Sequence, residues 1–91
     1  MSLYVITYDV RVKNHDYQSL YEQLKEWNAA HLQNSAWLAD VNGKAAAVRE
    51  ALQRHMHPDD TVCVIQIFAN SDWATRHARK TGTDWLKSHT S

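Results

Sequence analysis

Little in this chain serves covalent cross-linking or a flexible architecture. Of 91 residues, one is cysteine, two are glycine and one is proline. The single thiol, Cys63, excludes an internal disulfide framework and any cysteine-rich zinc module. So few glycines and prolines exclude collagen-like, linker-like and low-complexity segments. Charge of one sign is also missing: ten Lys and Arg balance ten Asp and Glu. No overall basic field therefore advertises nucleic-acid binding. Long apolar runs are absent too. The longest near-apolar stretch, Val62 to Ala69, contains Gln66 and falls far short of the roughly 20 residues a spanning helix needs. Without a basic start followed by an apolar run, no secretory signal is expected. The expectation is a soluble, cytoplasmic chain with no membrane partner.

What is present belongs to an ordinary globular domain. Hydrophobic residues make up 44% and charged residues 22%, a composition that can bury a core. The length allows one domain. Charge is uneven along it. Residues 1–72 carry six basic and nine acidic side chains, whereas residues 73–91 carry four basic and one acidic. Any polyanionic partner must then be met by a local patch.

Patterning divides the chain into alternating elements. Leu3 to Tyr8 is β-branched and aromatic and reads as a strand ending at Asp9. Tyr17, Leu20, Tyr21, Leu24 and Trp27 recur at three- and four-residue steps and predict a helix, with Asn14 and Asp16 as candidate N-caps. Asn34-Ser35 separates two short predicted strands, Ala30–Gln33 and Ala36–Val41. Asn42-Gly43 then breaks the chain before a second predicted helix over Lys44 to Met56, stopped ahead of Pro58. Thr61 to Phe68 is the strongest strand signal. Beyond it, Asp72 to Ala78 reads as a short edge strand, and Thr81-Gly82-Thr83-Asp84 as a capping box opening a brief helix through Trp85 and Leu86. The order is β-α-β-β-α-β with a small C-terminal strand and helix appendage. This is an α+β, ferredoxin-like arrangement, one domain with its core at 2–69 and its appendage at 70–91.

Such a fold places both main helices on one face of its sheet. Side chains alternate along a strand, and here neither face is polar: Leu3, Val5 and Thr7 oppose Tyr4, Ile6 and Tyr8, while Cys63, Ile65 and Ile67 oppose Val62 and Val64. A bare apolar face is normally an interaction surface. Pairing with a second copy would bury about 1,200–2,000 Å², so a homodimer is expected. The alternative is that Trp73, Trp85 and Leu86 fold back and cap that face within one chain.

Asp9 is the most informative ionisable residue. At the carboxyl end of the first strand it offers a hard oxygen ligand for Mg²⁺, and two copies across a dimer axis would share a metal and a phosphodiester. The bland reading is a carboxylate bonded to the loop backbone. Arg11 and Lys13 are candidate phosphate contacts, against the commoner fate of solvated side chains. Arg76, Arg79 and Lys80, flanked by Trp73 and Trp85, form the one basic cluster interleaved with aromatics, a candidate nucleic-acid contact; a solvated segment with core tryptophans is its alternative. Other constellations carry little. His55-Met56-His57 lacks the spacing of helical zinc ligands, Gly43-Lys44 lacks the upstream glycine of a P-loop, and Cys63 reads as a packed thiol.

The opening Tyr4-Val5-Ile6-Thr7-Tyr8-Asp9 strand, the element order and the length together resemble the second CRISPR-associated protein family, the small dimeric subunit of spacer acquisition. The chain is also similar to small bacterial proteins labelled SinR-type. These share the Tyr-Asp strand end, Tyr17-x-x-Leu20-Tyr21, Ser35-x-Trp37, the Asp59-to-Thr61 entry to the last strand and a terminal Trp85-Leu86-Lys87. Virulence-associated protein D is a relative with the same ferredoxin-like unit. The resemblance implies a homodimeric, Mg²⁺-dependent endonuclease, chiefly an endoribonuclease, with Asp9 as metal ligand and catalytic residue and RNA or DNA as substrate. It also implies a partner protein, either an integrase subunit or, in a toxin–antitoxin setting, an antitoxin. The first helix departs from the family pattern. Where relatives carry a basic run, this chain reads Asp16-Tyr17-Gln18-Ser19, leaving Arg11 and Lys13. The alternative function is a non-catalytic dimeric adaptor or regulator that binds nucleic acid or a protein.

Overall fold

The computed structural model describes residues 2–11 and 16–90. Strand β1 (Ser2–Asp9) is followed by α1 (Gln18–Glu26), the hairpin β2 (Ala30–Gln33) and β3 (Ala36–Val41), α2 (Ala45–Gln53), β4 (Thr61–Ile67) and α3 (Lys80–His89). The sheet runs β2-β3-β1-β4, with every neighbouring pair antiparallel. This is the expected α+β, ferredoxin-like order. In β1, Val5 stands opposite both Leu38 and Ile65, so the first strand is one of the two central strands of the sheet.

Alternation in β1 sends Tyr4, Ile6 and Tyr8 into one core with Trp37, Ala39 and Val41 of β3. Leu20 and Leu24 of α1 and Val48 and Leu52 of α2 close it from above. Fully buried leucines of this kind each cost about 2–5 kcal/mol when cut to alanine. Polar atoms that enter this core are paired: Trp37 Nε1 donates to Tyr8 Oη at 3.0 Å, and Tyr4 Oη donates to the Gly43 carbonyl. Gly43 sits at φ +108°, a conformation open to glycine at little steric cost, which is why the β3–α2 turn is built there.

Helix ends differ in detail from the sequence reading. The N-cap of α1 is Tyr17, whose side chain makes no cap bond; Asp16 Oδ1 accepts the Gln18 N–H at 2.9 Å and satisfies one exposed donor. Asn14, the other cap candidate, lies outside the described residues. Helix α2 is shorter than the predicted Lys44–Met56. Its last turn tightens, with His55 N–H on the Leu52 carbonyl and Met56 N–H on that of Gln53, three-residue steps that end a helix.

The segment after β4 departs most. No edge strand forms over Asp72 to Ala78. Instead the chain turns at Phe68–Ser71, fixed by Ser71 N–H on the Phe68 carbonyl and Phe68 N–H on Ser71 Oγ at 2.8 Å. It then crosses the second face, packing Trp73 against that core, and reaches the far edge, where Arg79 N–H bonds the Leu32 carbonyl at 3.0 Å. Burial of Trp73 outweighs a ladder on β4. Nor does Thr81-Gly82-Thr83-Asp84 cap α3: the helix starts at Lys80 with Arg79 at the N-cap, and Thr81 Oγ1 donates to the His31 carbonyl. Gly82 lies against β2, where an added Cβ would meet Leu32 Cα at 2.6 Å. Close backbone approach, not capping, is why residue 82 is glycine.

Helix α3 therefore covers half of the second face. Leu38, Trp85 and Leu86 form a separate small core with Leu3, Val5, Ala30 and Leu32 packed around it. The other half, along β4, stays open: Ile65 is 57% and Phe68 58% exposed, and Cys63 is exposed as well, not packed as the sequence suggested. Its alternation points it onto the uncovered face.

Candidate functional site

Asp9 is the last residue of β1, opposite Thr61 of β4. Its side chain is 74% exposed, and its polar partner among the described residues is Arg11, with Nη2 at 3.8 Å from Oδ2. The loop-bonding role suggested as the bland reading of Asp9 falls to another carboxylate, Asp60. Asp60 Oδ1 accepts the Arg11 N–H at 2.8 Å. Its Oδ2 accepts Tyr17 Oη–H at 2.7 Å and the His57 N–H at 2.9 Å. Desolvation alone would push the Asp60 carboxyl up, but those donors outweigh it and hold it below its ordinary value. One side chain thus ties the exit of β1 and the start of α1 to the turn before β4.

The consequence is a division of labour between two acids. Asp60 is occupied by structure, while Asp9 is presented to solvent at the rim of the sheet. Its neighbour Tyr8 cannot act as a base at neutral pH, since burial pushes that phenol up to about 12. Arg11 stands beside Asp9. Lys13 lies outside the described residues.

Tertiary folding brings part of the C-terminal basic cluster to the same rim. Tyr8 N–H bonds the Ser35 carbonyl, which places the β2–β3 turn at the Asp9 end of the sheet. Arg79 Nη2 lies 3.4 Å from Asn34 Oδ1 in that turn. Arg79 is attached at the outer edge of β2, so its backbone stands three strand spacings, about 14 Å, across the sheet from Asp9. Arg76 is exposed. Lys80 is engaged elsewhere, its Nζ 2.6 Å from Asp84 Oδ2 one turn along α3. The rim thus carries Asp9, Arg11 and Arg79, a carboxylate between two guanidinium groups.

The donor set limits what one chain can hold. No group of three or more His, Cys, Asp or Glu positioned for a metal occurs among the described residues. No described helix is long and apolar enough to cross a membrane. Asp60 was the residue missed from sequence. Its donors include Arg11, 49 positions away, and only the adjacent Asp59-Asp60-Thr61 entry to β4 hinted at it.

A family model described as CRISPR associated protein Cas2 matches residues 1–75. The chain belongs to this family. The match embraces the whole sheet, α1 and α2 of this Cas2 chain and stops short of Arg79 and α3. No solved structure matches the chain.

Proposed function

We propose that this Cas2-family protein is a homodimeric endonuclease, acting chiefly on RNA, in which Asp9 is the catalytic carboxylate. The observation that carries the reading is the contrast at the β1 rim: Asp9 is left exposed with a single long ion pair, while Asp60 takes the backbone donors. A carboxylate freed from structural duty in a family associated with nucleic acid is available for a phosphodiester. In this reading Arg11, and Arg79 across the sheet, meet flanking phosphates and fix register without reading sequence.

Mg²⁺ is the metal that the resemblance implies. The residues of one chain fit it only as half a site. Mg²⁺ is commonly held by one or two carboxylates plus substrate phosphate, keeping several waters, so Asp9 from each of two copies would hold it. Bound there, the ion would neutralise charge on the phosphate and lower the pKa of a water. Asp9 would accept a hydrogen bond from that water, and Arg11 would offset the charge that builds on the phosphate oxygens. The open half of the second face, with Ile65 and Phe68 exposed, supplies apolar surface for the second copy.

A second reading, a non-catalytic dimeric adaptor, is favoured by the absence of a three-ligand cluster among the described residues. One experiment separates them. Highly purified protein is incubated with labelled RNA and DNA, with Mg²⁺ or with EDTA, beside Asp9→Asn. The nuclease reading expects Mg²⁺-dependent cleavage, reduced at least about 100-fold in the variant. Equal cleavage by Asp9→Asn, or none by wild type, overturns it. Nucleic-acid binding that falls steeply with salt would then identify the adaptor.

A further inference from the structure

At the opposite end of the sheet from Asp9 lies a cleft of about 740 Å³, within the usual range for small-molecule sites. It is lined by Glu26, Trp27 and Asn28 at the end of α1, Asp40 to Asn42 at the end of β3, one side of α2, and Trp85 with His89 of α3. Three features give it a chemical character. No Lys or Arg lines it, while two carboxylates, Glu26 and Asp40, do. Its walls include flat rings: Trp27, and Trp85 with His89 stacked on it at 3.9 Å and 12°. Finally, Asp40 Oδ1 is shut from solvent with no hydrogen-bond partner.

A carboxylate oxygen cut off from water without a donor is costly, and no cation of the described residues pairs with Asp40. A positive charge held in the cleft beside this side chain would offset that cost through space. Among organic cations, guanidinium suits these walls best. It is planar and weakly hydrated, stacks on aromatic faces and forks onto carboxylates, whereas an ammonium is a compact, strongly hydrated point charge. We propose that this cleft binds a small guanidinium compound, with Asp40 as its counter-ion and the Trp27 and His89 rings as stacking surfaces. Its α3 wall lies outside the stretch that matches the family.

The probe is agmatine, added to the full chain with ionic strength held constant by NaCl. Indole and backbone signals are followed by nuclear magnetic resonance. Saturable shifts centred on Trp27, Trp85 and His89 are expected. Asp40→Asn, nearly the same shape, should weaken binding at least about tenfold, and Glu26→Gln, on the solvent side of α1, about twofold. Putrescine, which offers only ammonium groups, should bind at least about fivefold more weakly than agmatine. Shifts that never saturate, unchanged affinity in Asp40→Asn, or equal affinity for putrescine would each overturn the proposal. None of these readouts depends on phosphodiester cleavage, so the two readings fail separately.

Discussion

The second face of the sheet is two surfaces with one parentage. Its β2–β3 half is covered by α3, and there Leu38 is fully buried. Its β4 half carries the same kind of side chains, yet Ile65 remains 57% exposed. Strand sequence does not distinguish them, since both halves are apolar. Chain length and a single glycine do. The segment after β4 is long enough to cross to the far edge, and Gly82 lets α3 lie almost in contact with the β2 backbone. An intramolecular helix thus does for one half what another molecule would have to do for the other.

The covered half is the easier to break. Gly82→Ala places a methyl against Leu32 Cα, and backbone cannot step aside as a flexible side chain can. Overpacking of this kind is expected to cost about 1–3 kcal/mol, read by urea unfolding. An unchanged midpoint would mean that α3 does not rest where described. A smaller effect is expected at the rim. Asp60 has its carboxyl held below the ordinary value by three donors, so its contribution is complete above about pH 4 and is lost as pH falls through the lower folded value. Asp60→Asn should therefore lose about 1 kcal/mol at neutral pH and show a shallower decline on acidification than wild type. Parallel pH profiles would remove Asp60 as the staple.

The smallest effect belongs to the open half, and it sharpens the comparison most. In dilute protein, Ile65→Ala should change stability by no more than about 0.5 kcal/mol, as for other exposed positions. As protein concentration rises, the loss should grow if a second copy covers the residue. A loss that is the same at every concentration would leave that surface bare.

How much of this was written in the sequence depends on the range of the interactions. The bounds of β2 and β3 were legible because Asn34-Ser35 is local turn chemistry flanked by apolar residues. The first helix was legible because Leu20 and Leu24 repeat at its own period. Helix α3 was legible only in part. Thr81, Gly82 and Thr83 are poor helix formers, and what holds them helical is β2, some fifty residues earlier: Thr81 bonds the His31 carbonyl with a separation of 50. The edge strand failed for a related reason, since nothing local reveals that Trp73 prefers the second core. At the rim, Asp9 could be singled out by its place at a strand end. The role of Asp60 could not, because its partners Arg11 and Tyr17 lie 49 and 43 positions away.

The central position of β1 has a temporal side. Its flank toward β4 joins Leu3 to Ile67 and Asp9 to Thr61, so β1 leaves the ribosome well before the strand that completes it. Loop closure over such spans adds only slowly with length, about 0.6 kcal/mol per doubling, but non-local pairing slows folding. The nascent chain carries a half-zipped hydrophobic ribbon until β4 has been synthesised, and its early risk is association with other nascent chains.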